Sequence, residues 1–341
     1  MDNRDDALDI VKFVAIMMVI LWHLLSKDLY YSGSSVAVNL IIGCNMPIFF
    51  CLSGYFSRKM HRSHNLQNLI ARIVSYIWPI GIFSLVDLLL AATLKNDVAL
   101  LKFWVRDLFF CFWFFCCLSL CEIVTFVVYL AGGGDTKRLA LLFTGAFLFA
   151  WAIPFGLYSF VSMVPFYWFG CFLFQTMYDK MRYGGWILLC GLALIIYVTV
   201  SMLEGDIRVN GMGFYWFKMP LIRFTWRGFA IMLSRYSMGI LGIMGMVSIM
   251  YWVVRHVCIL KFISRLGRTT FGVYFLHRYF VDPDFGLGQF ANNIHGLFGK
   301  IICTVVIFII CHCLFLWTKK VNLFNLALWG PIKYIKIRGR V

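Results

Sequence analysis

Stretches of more than about 18 mostly apolar residues recur from one end of this 341-residue chain to the other. A helix rises ~1.5 Å per residue, so about 20 such residues cross a hydrocarbon layer ~30 Å thick. Within that layer every backbone N–H and C=O must find its partner inside the protein, which leaves only helices and closed barrels. A barrel strand alternates apolar and polar side chains, whereas a stretch such as Phe109 to Leu120 is apolar on every side. Charged residues make up 13% of the chain and hydrophobic ones 62%, against the ~25% charge of soluble domains. The expected fold is therefore all-α, a polytopic membrane bundle of helices.

About ten candidate spans follow at about 20 residues per crossing. They run Leu8 to Leu25, Val36 to Phe56, Ile73 to Leu94, Phe103 to Leu130, Leu139 to Pro154, Leu157 to Tyr178, Tyr183 to Leu203, Phe229 to Val254, Leu266 to Val281 and Leu297 to Trp317. Residues 1–320 read as one integral membrane domain and 321–341 as a basic tail. No internal repeat interrupts it. With the N-terminus in the cytoplasm, 20 of the 31 Lys and Arg residues fall on the cytoplasmic side. The positive-inside rule then places both termini there.

The formal net charge of +16 is accounted for by this topology and calls for no nucleic acid partner. The tail mixes Leu, Phe, Trp and Ile with Lys and Arg, and reads either as an interfacial helix on an anionic leaflet or as a solvated basic tail. Of the twelve cysteines, nine, including Cys111, Cys121 and Cys311, lie inside apolar runs as small hydrophobes and suggest no disulfide framework. The polar, acidic opening Met1 to Asp6 does not read as a cleaved signal peptide.

Ionisable residues within a span are costly and mark sites by default. Those noted are Asp9, Lys12, His23, Asp87, Glu122, His277 and His312, with Asn45 as an uncharged companion. Lys12 and His23 are eleven residues apart, three turns plus about 20°, so they share one face of the first helix ~16 Å apart along its axis. This places a cation at the cytoplasmic interface and an imidazole near the bilayer midplane. The plainer reading is a snorkelling lysine and an interior histidine, and the two readings weigh evenly. Arg268 and His277 repeat the scheme on the ninth span, ~14 Å apart.

On the second span, Asn45 precedes Met46 and Pro47, with Ser53 and Gly54 one to two turns on. Pro47 reads as a break bordering a cavity or as a packing kink. Asp87 and Glu122 read as partners of a buried base or as hydrogen-bonded structural carboxylates. His312 lies between Cys311 and Cys313, but three adjacent helical residues cannot converge on one ion, so no metal site is expected. His61 and His64 read as surface residues of a basic loop. In the loop of residues 204–228, Trp216, Lys218, Arg223 and Trp226 read either as stacking and charged contacts for a sugar or as interfacial belt residues.

Five segments carry a family resemblance. They are Leu8-Asp9-Ile10-Val11-Lys12 through His23; Asn45-Met46-Pro47 through Ser53-Gly54-Tyr55; Arg72 with Tyr76 and Pro79; Val164-Pro165-Phe166 through Gly170; and Leu266-Gly267-Arg268 through Tyr274 and His277. In this order they resemble the acyltransferase-3 family of membrane O-acyltransferases, with Lys12 where the family usually has Arg and Thr270 at its usual Ser. Lysine keeps the charge but gives up bidentate phosphate recognition.

The resemblance implies transfer of an acyl group, usually acetyl, from cytoplasmic acetyl-CoA to a hydroxyl of a surface or lipid-linked carbohydrate, with no cofactor beyond that co-substrate. Lys12, Arg72, Arg268 and Arg58 are the expected contacts of the acyl-CoA phosphates. His23 is the expected general base or acyl carrier. His277, Asn45 and Ser53 are expected to orient groups or stabilise the oxyanion. The expected surroundings are membrane lipids of a bacterial inner membrane. A lipid-linked oligosaccharide flippase or exporter is the alternative, one that needs no acyl-CoA.

Overall fold

The computed structural model describes residues 5–32, 36–95, 112–132, 158–181, 226–257, 260–281, 288, 293–294 and 296–330. The described residues are helical, with no strand among them. The helices are α1 (Asp6–Ser32), α2 (Val36–Arg62), α3 (Leu66–Lys95), α4 (Trp113–Gly132), α5 (Tyr158–Phe172), α6 (Phe174–Met181), α7 (Trp226–His256), α8 (Leu260–Gly267), α9 (Thr270–Leu276), α10 (Arg278–Val281), α11 (Leu297–Lys320) and α12 (Asn322–Trp329). Four segments are long and apolar enough to cross a membrane: Asp6–Leu25, Leu66–Leu89, Trp113–Ala131 and Leu297–Lys320. The expected fifth and seventh spans, residues 139–154 and 183–203, lie outside the described residues.

Three expected boundaries change. The basic loop between the second and third spans shrinks to a turn at Ser63–Asn65, so Arg58, Lys59, Arg62 and Arg72 all ride on helices. The Asn65 carboxamide caps α3 by accepting the Asn68 N–H at 2.9 Å, which allows α3 to begin well before its first long apolar run. The ninth span is a chain of short helices, α8 to α10, broken at Arg268–Thr269. At Pro47 the helix carries on, and the Met46 N–H bonds the Asn45 carboxamide oxygen at 2.6 Å. The basic tail contributes the helix α12, and residues 331–341 lie outside the described residues.

The chain divides into two compact units. The first comprises Met1–Leu52 and Leu173–Leu316, and α1 is its spine. Leu8, Val11, Ala15, Ile16, Val19, Ile20 and Leu24 recur at helical spacing and are all buried. That stripe packs on α7, α8, α9 and α10. Close approach needs small residues: a Cβ on Gly267 would sit 1.8 Å from the Asp9 carbonyl oxygen, and one on Gly242 would sit 2.7 Å from the Cys44 Cβ. α11 runs antiparallel to α1, with Phe13 edge-on to Phe308 and the Lys300 Nζ donating to the Leu24 carbonyl at 2.8 Å.

The second unit comprises Ser53–Phe172 and Trp317–Val341. Here α3 packs on α4, α4 on α5, and α12 against α3. Gly54 lets the helix carrying it touch the α5 backbone, since a Cβ there would stand 2.0 Å from the Tyr167 carbonyl oxygen. The Cys171 thiol donates to the Gly54 carbonyl at 3.2 Å. Trp168 Nε1 donates to Thr125 Oγ1 at 2.8 Å, which ties α5 to α4.

Candidate active site

In the first unit, the first turns of α1 carry Asp6, Asp9 and Lys12, and helical spacing sets Asp9 and Lys12 on one face. Lys12 Nζ lies 2.7 Å from Asp9 Oδ1. From the break between α8 and α9, Arg268 Nε reaches Asp9 Oδ2 at 3.4 Å, and its Nη2 lies 3.8 Å from Asp6 Oδ1. The backbone contact between Gly267 and Asp9 brings this about. Lys12 and Arg268, expected on separate helices, thus share one buried carboxylate.

Three turns along α1, the His23 ring meets the His277 ring with centroids 5.4 Å apart and planes tilted by 50°. His277 is buried and His23 exposed. His277 Nδ1 lies 3.2 Å from the Val273 carbonyl oxygen, which can only accept. The Nδ1–H tautomer of His277 donates to it. Asn45, also in this unit, is buried. Thr269 Oγ1 lies 2.8 Å from His312 Nδ1, which gives His312 a hydroxyl partner within the protein. No metal-binding group occurs among the described residues.

The second unit holds Ser53, Arg58 and Arg72. Ser53 is half-buried, and its carbonyl accepts the Ser57 hydroxyl at 2.7 Å. The Arg58 guanidinium lies 4.2 Å from the centroid of the Tyr55 ring. Arg72 donates from Nε to Glu122 Oε1 at 3.0 Å and from Nη2 to Tyr76 Oη at 2.9 Å. Ser57 Oγ also lies 2.7 Å from Glu122 Oε1, so its one proton is shared between that oxygen and the Ser53 carbonyl.

His61 corrects the surface reading. It is fully buried, with Nε2 2.9 Å from Tyr167 Oη and 3.1 Å from Glu122 Oε2, and it stacks on Tyr129. The helical spacing of Gly54, Ser57 and His61 was the available signal, because it puts all three on one face. Glu122 is a buried, hydrogen-bonded carboxylate that also meets the buried His61 imidazole, so both readings of it stand. Asp87 is buried on α3. Trp216, Lys218 and Arg223 lie outside the described residues, and Trp226 opens α7 with its side chain outside them.

Lys300 was passed over in the sequence. It lies one turn inside α11 and is only 1% exposed. A lysine so near a span's end reads as a flanking residue. The signal was Thr304, one turn further along the same face, whose hydroxyl bonds the Lys300 carbonyl at 2.8 Å.

Long apolar helices, buried ion pairs and two facing imidazoles define an integral membrane protein with acid–base groups set inside its helical units. The family model for an acyltransferase domain matches residues 5–317, and the chain belongs to the acyltransferase-3 family. Membrane acyl transfer is the activity this membership suggests. No curated protein and no solved structure matches the chain.

Proposed function

We propose that the chain transfers an acetyl group from cytoplasmic acetyl-CoA to a hydroxyl of a surface or lipid-linked carbohydrate in a bacterial inner membrane. The observation that carries this reading is the pairing of His23 with His277 on the same helix that presents Lys12 beside Arg268. Lys12 and Arg268 bind the phosphates of the donor. The ~16 Å along α1 from Lys12 to His23 suits an extended pantetheine arm, which carries the thioester to the imidazoles.

At that point His23, the exposed member, removes the proton of the acceptor hydroxyl as its oxygen attacks the thioester carbonyl. The Asn45 carboxamide N–H group stabilises the oxyanion. Collapse of the tetrahedral intermediate breaks the C–S bond, and the departing thiolate takes the proton from His23, which leaves an acetyl ester and free CoA. His277 orients His23 through the contact of the two rings.

The test is to replace His23 and Lys12 separately by Ala, match membrane levels, and measure ester-linked acetyl on surface glycan. His23→Ala is expected to lose at least ~100-fold in transfer, the usual contribution of a general base. Unchanged acetylation in both variants would overturn the reading. Glycan translocation that proceeds without acetyl-CoA would favour a flippase.

A further inference from the structure

Lysines near the ends of membrane helices normally carry their ammonium outward to the interface. On α11 the reverse holds. Leu297, Phe298, Ile301 and Ile302 are exposed, while Lys300 between them is buried. Its Nζ donates at 2.8 Å to the carbonyl of Leu24, the residue directly after His23. Burying an ammonium costs several kcal/mol unless it makes strong hydrogen bonds, and the one to the Leu24 carbonyl fastens that turn of α1 to α11. The α1–α11 seam is held again at Phe13 and Phe308, with ring centroids 4.9 Å apart, and α11 is tied to the α8–α9 break through His312 and Thr269.

We infer that Lys300 is a positioning residue for His23: by fastening the Leu24 carbonyl it fixes the turn of α1 that presents the His23 imidazole to His277. The inference rests on the proposed acyl transfer and deepens it. Lys300 does not touch the donor, so its loss acts on turnover rather than on donor binding. A displacement of about 1 Å at a reacting group costs up to ~100-fold in rate.

The experiment uses the full chain in native membranes and follows radiolabelled acetyl from acetyl-CoA into membrane glycan. Lys300→Met, close in length and without a donor, is expected to lower kcat about 10- to 100-fold with the acetyl-CoA KM within about twofold. Lys300→Arg, which restores a donor, is expected to recover most of the rate. In a His23→Ala background, Lys300→Met is expected to cost nothing more, whereas a general loss of packing would lower the residual rate further.

An unchanged kcat, a change confined to KM, or additive losses in the double variant each overturns the inference. If His23→Ala retains full activity, the proposed function itself fails. Should wild-type membranes transfer no acetyl, the tether is read from the rate at which diethyl pyrocarbonate modifies His23. That rate must change in Lys300→Met and return in Lys300→Arg, and equal rates in all three proteins overturn the inference.

Discussion

Lys12 Nζ and Asp9 Oδ1 stand 2.7 Å apart, one turn along α1, and the Arg268 guanidinium closes on the same carboxylate from the other side. Two cations drawn to one acid are preorganised at a fixed spacing. An ammonium has three donors and a guanidinium five, the capacity such a pair brings to an anionic ligand. Lys12→Ala removes one charge-assisted contact, worth ~1.5–3 kcal/mol. The acetyl-CoA KM is expected to rise at least about tenfold with kcat little changed, and Lys12→Arg is expected to restore the affinity. Steady-state kinetics over a range of acetyl-CoA concentrations would check this, and an unchanged KM in Lys12→Ala would count against the phosphate site.

The Glu122 carboxylate is fully buried and held by Arg72, Ser57 and His61. Taking away one side of a buried ion pair leaves a charge with too few partners and typically costs ~3–5 kcal/mol. Arg72 is 30% exposed on its side chain, so Arg72→Ala is expected near the lower end of that range. Adding Glu122→Gln removes the stranded charge and is expected to return part of the stability. Thermal unfolding in detergent of the two single variants and the double would decide it. Additive losses would show that the groups do not act as a pair.

The same cluster shows what the sequence conceals. The long apolar helices α1, α3, α4 and α11 are legible from hydropathy because lipid admits no other reading of such runs. Helix ends are less so: α2 continues through Arg58, Lys59 and Arg62 because hydrogen bonding along the backbone does not stop where apolar side chains do. The pairing of Lys12 with Asp9 is local, at i and i+3, and was within reach of the spacing. The partners of His61 come from α4 and α5, far along the chain, and periodicity of one helix cannot name them. Arg268 and His277 were placed on one straight helix, whereas the break at Arg268–Thr269 is what brings Arg268 to Asp9.

The docking of α12 is equally specific. Trp329 is buried, packs near Phe83 with ring centroids 5.9 Å apart, and donates from Nε1 to Thr318 Oγ1 at 3.1 Å. Trp78 Nε1 donates to the Ala327 carbonyl at 2.9 Å, and Gly330 ends the helix at φ 80°, a conformation suited to glycine. Replacing a buried Trp by Ala costs ~3–5 kcal/mol. Trp329→Ala is therefore expected to release α12, with faster proteolytic trimming of the C-terminal segment while the rest of the chain stays protected. Trp78→Phe, which loses one hydrogen bond, is expected to show a smaller effect in the same digestion. Equal protection of wild type and Trp329→Ala would show that α12 is not held by this contact.

Glycines allow a prediction with an internal control. A Cβ at position 54 would stand 2.0 Å from the Tyr167 carbonyl oxygen, and one at position 267 would stand 1.8 Å from that of Asp9. Both obstacles are backbone atoms, which cannot swing aside, so each alanine must push two helices apart. Gly81 on α3 has nothing within 4 Å of its would-be Cβ, and in the body of a helix alanine is favoured over glycine by ~0.5–1 kcal/mol. Gly81→Ala is expected to leave the protein as stable or slightly more so, while Gly54→Ala and Gly267→Ala each lose ~1–3 kcal/mol or more from overpacking. Gly267→Ala has a further consequence, because displacing α8 from Asp9 draws Arg268 off the carboxylate and should raise the acetyl-CoA KM. Gly54→Ala disturbs only the second unit's helix packing and gives the comparison for stability alone. Melting curves of the three variants, followed by donor kinetics on Gly267→Ala, would test both steps, and a Gly267→Ala protein of wild-type stability and KM would contradict the close approach on which the Asp9 cluster depends.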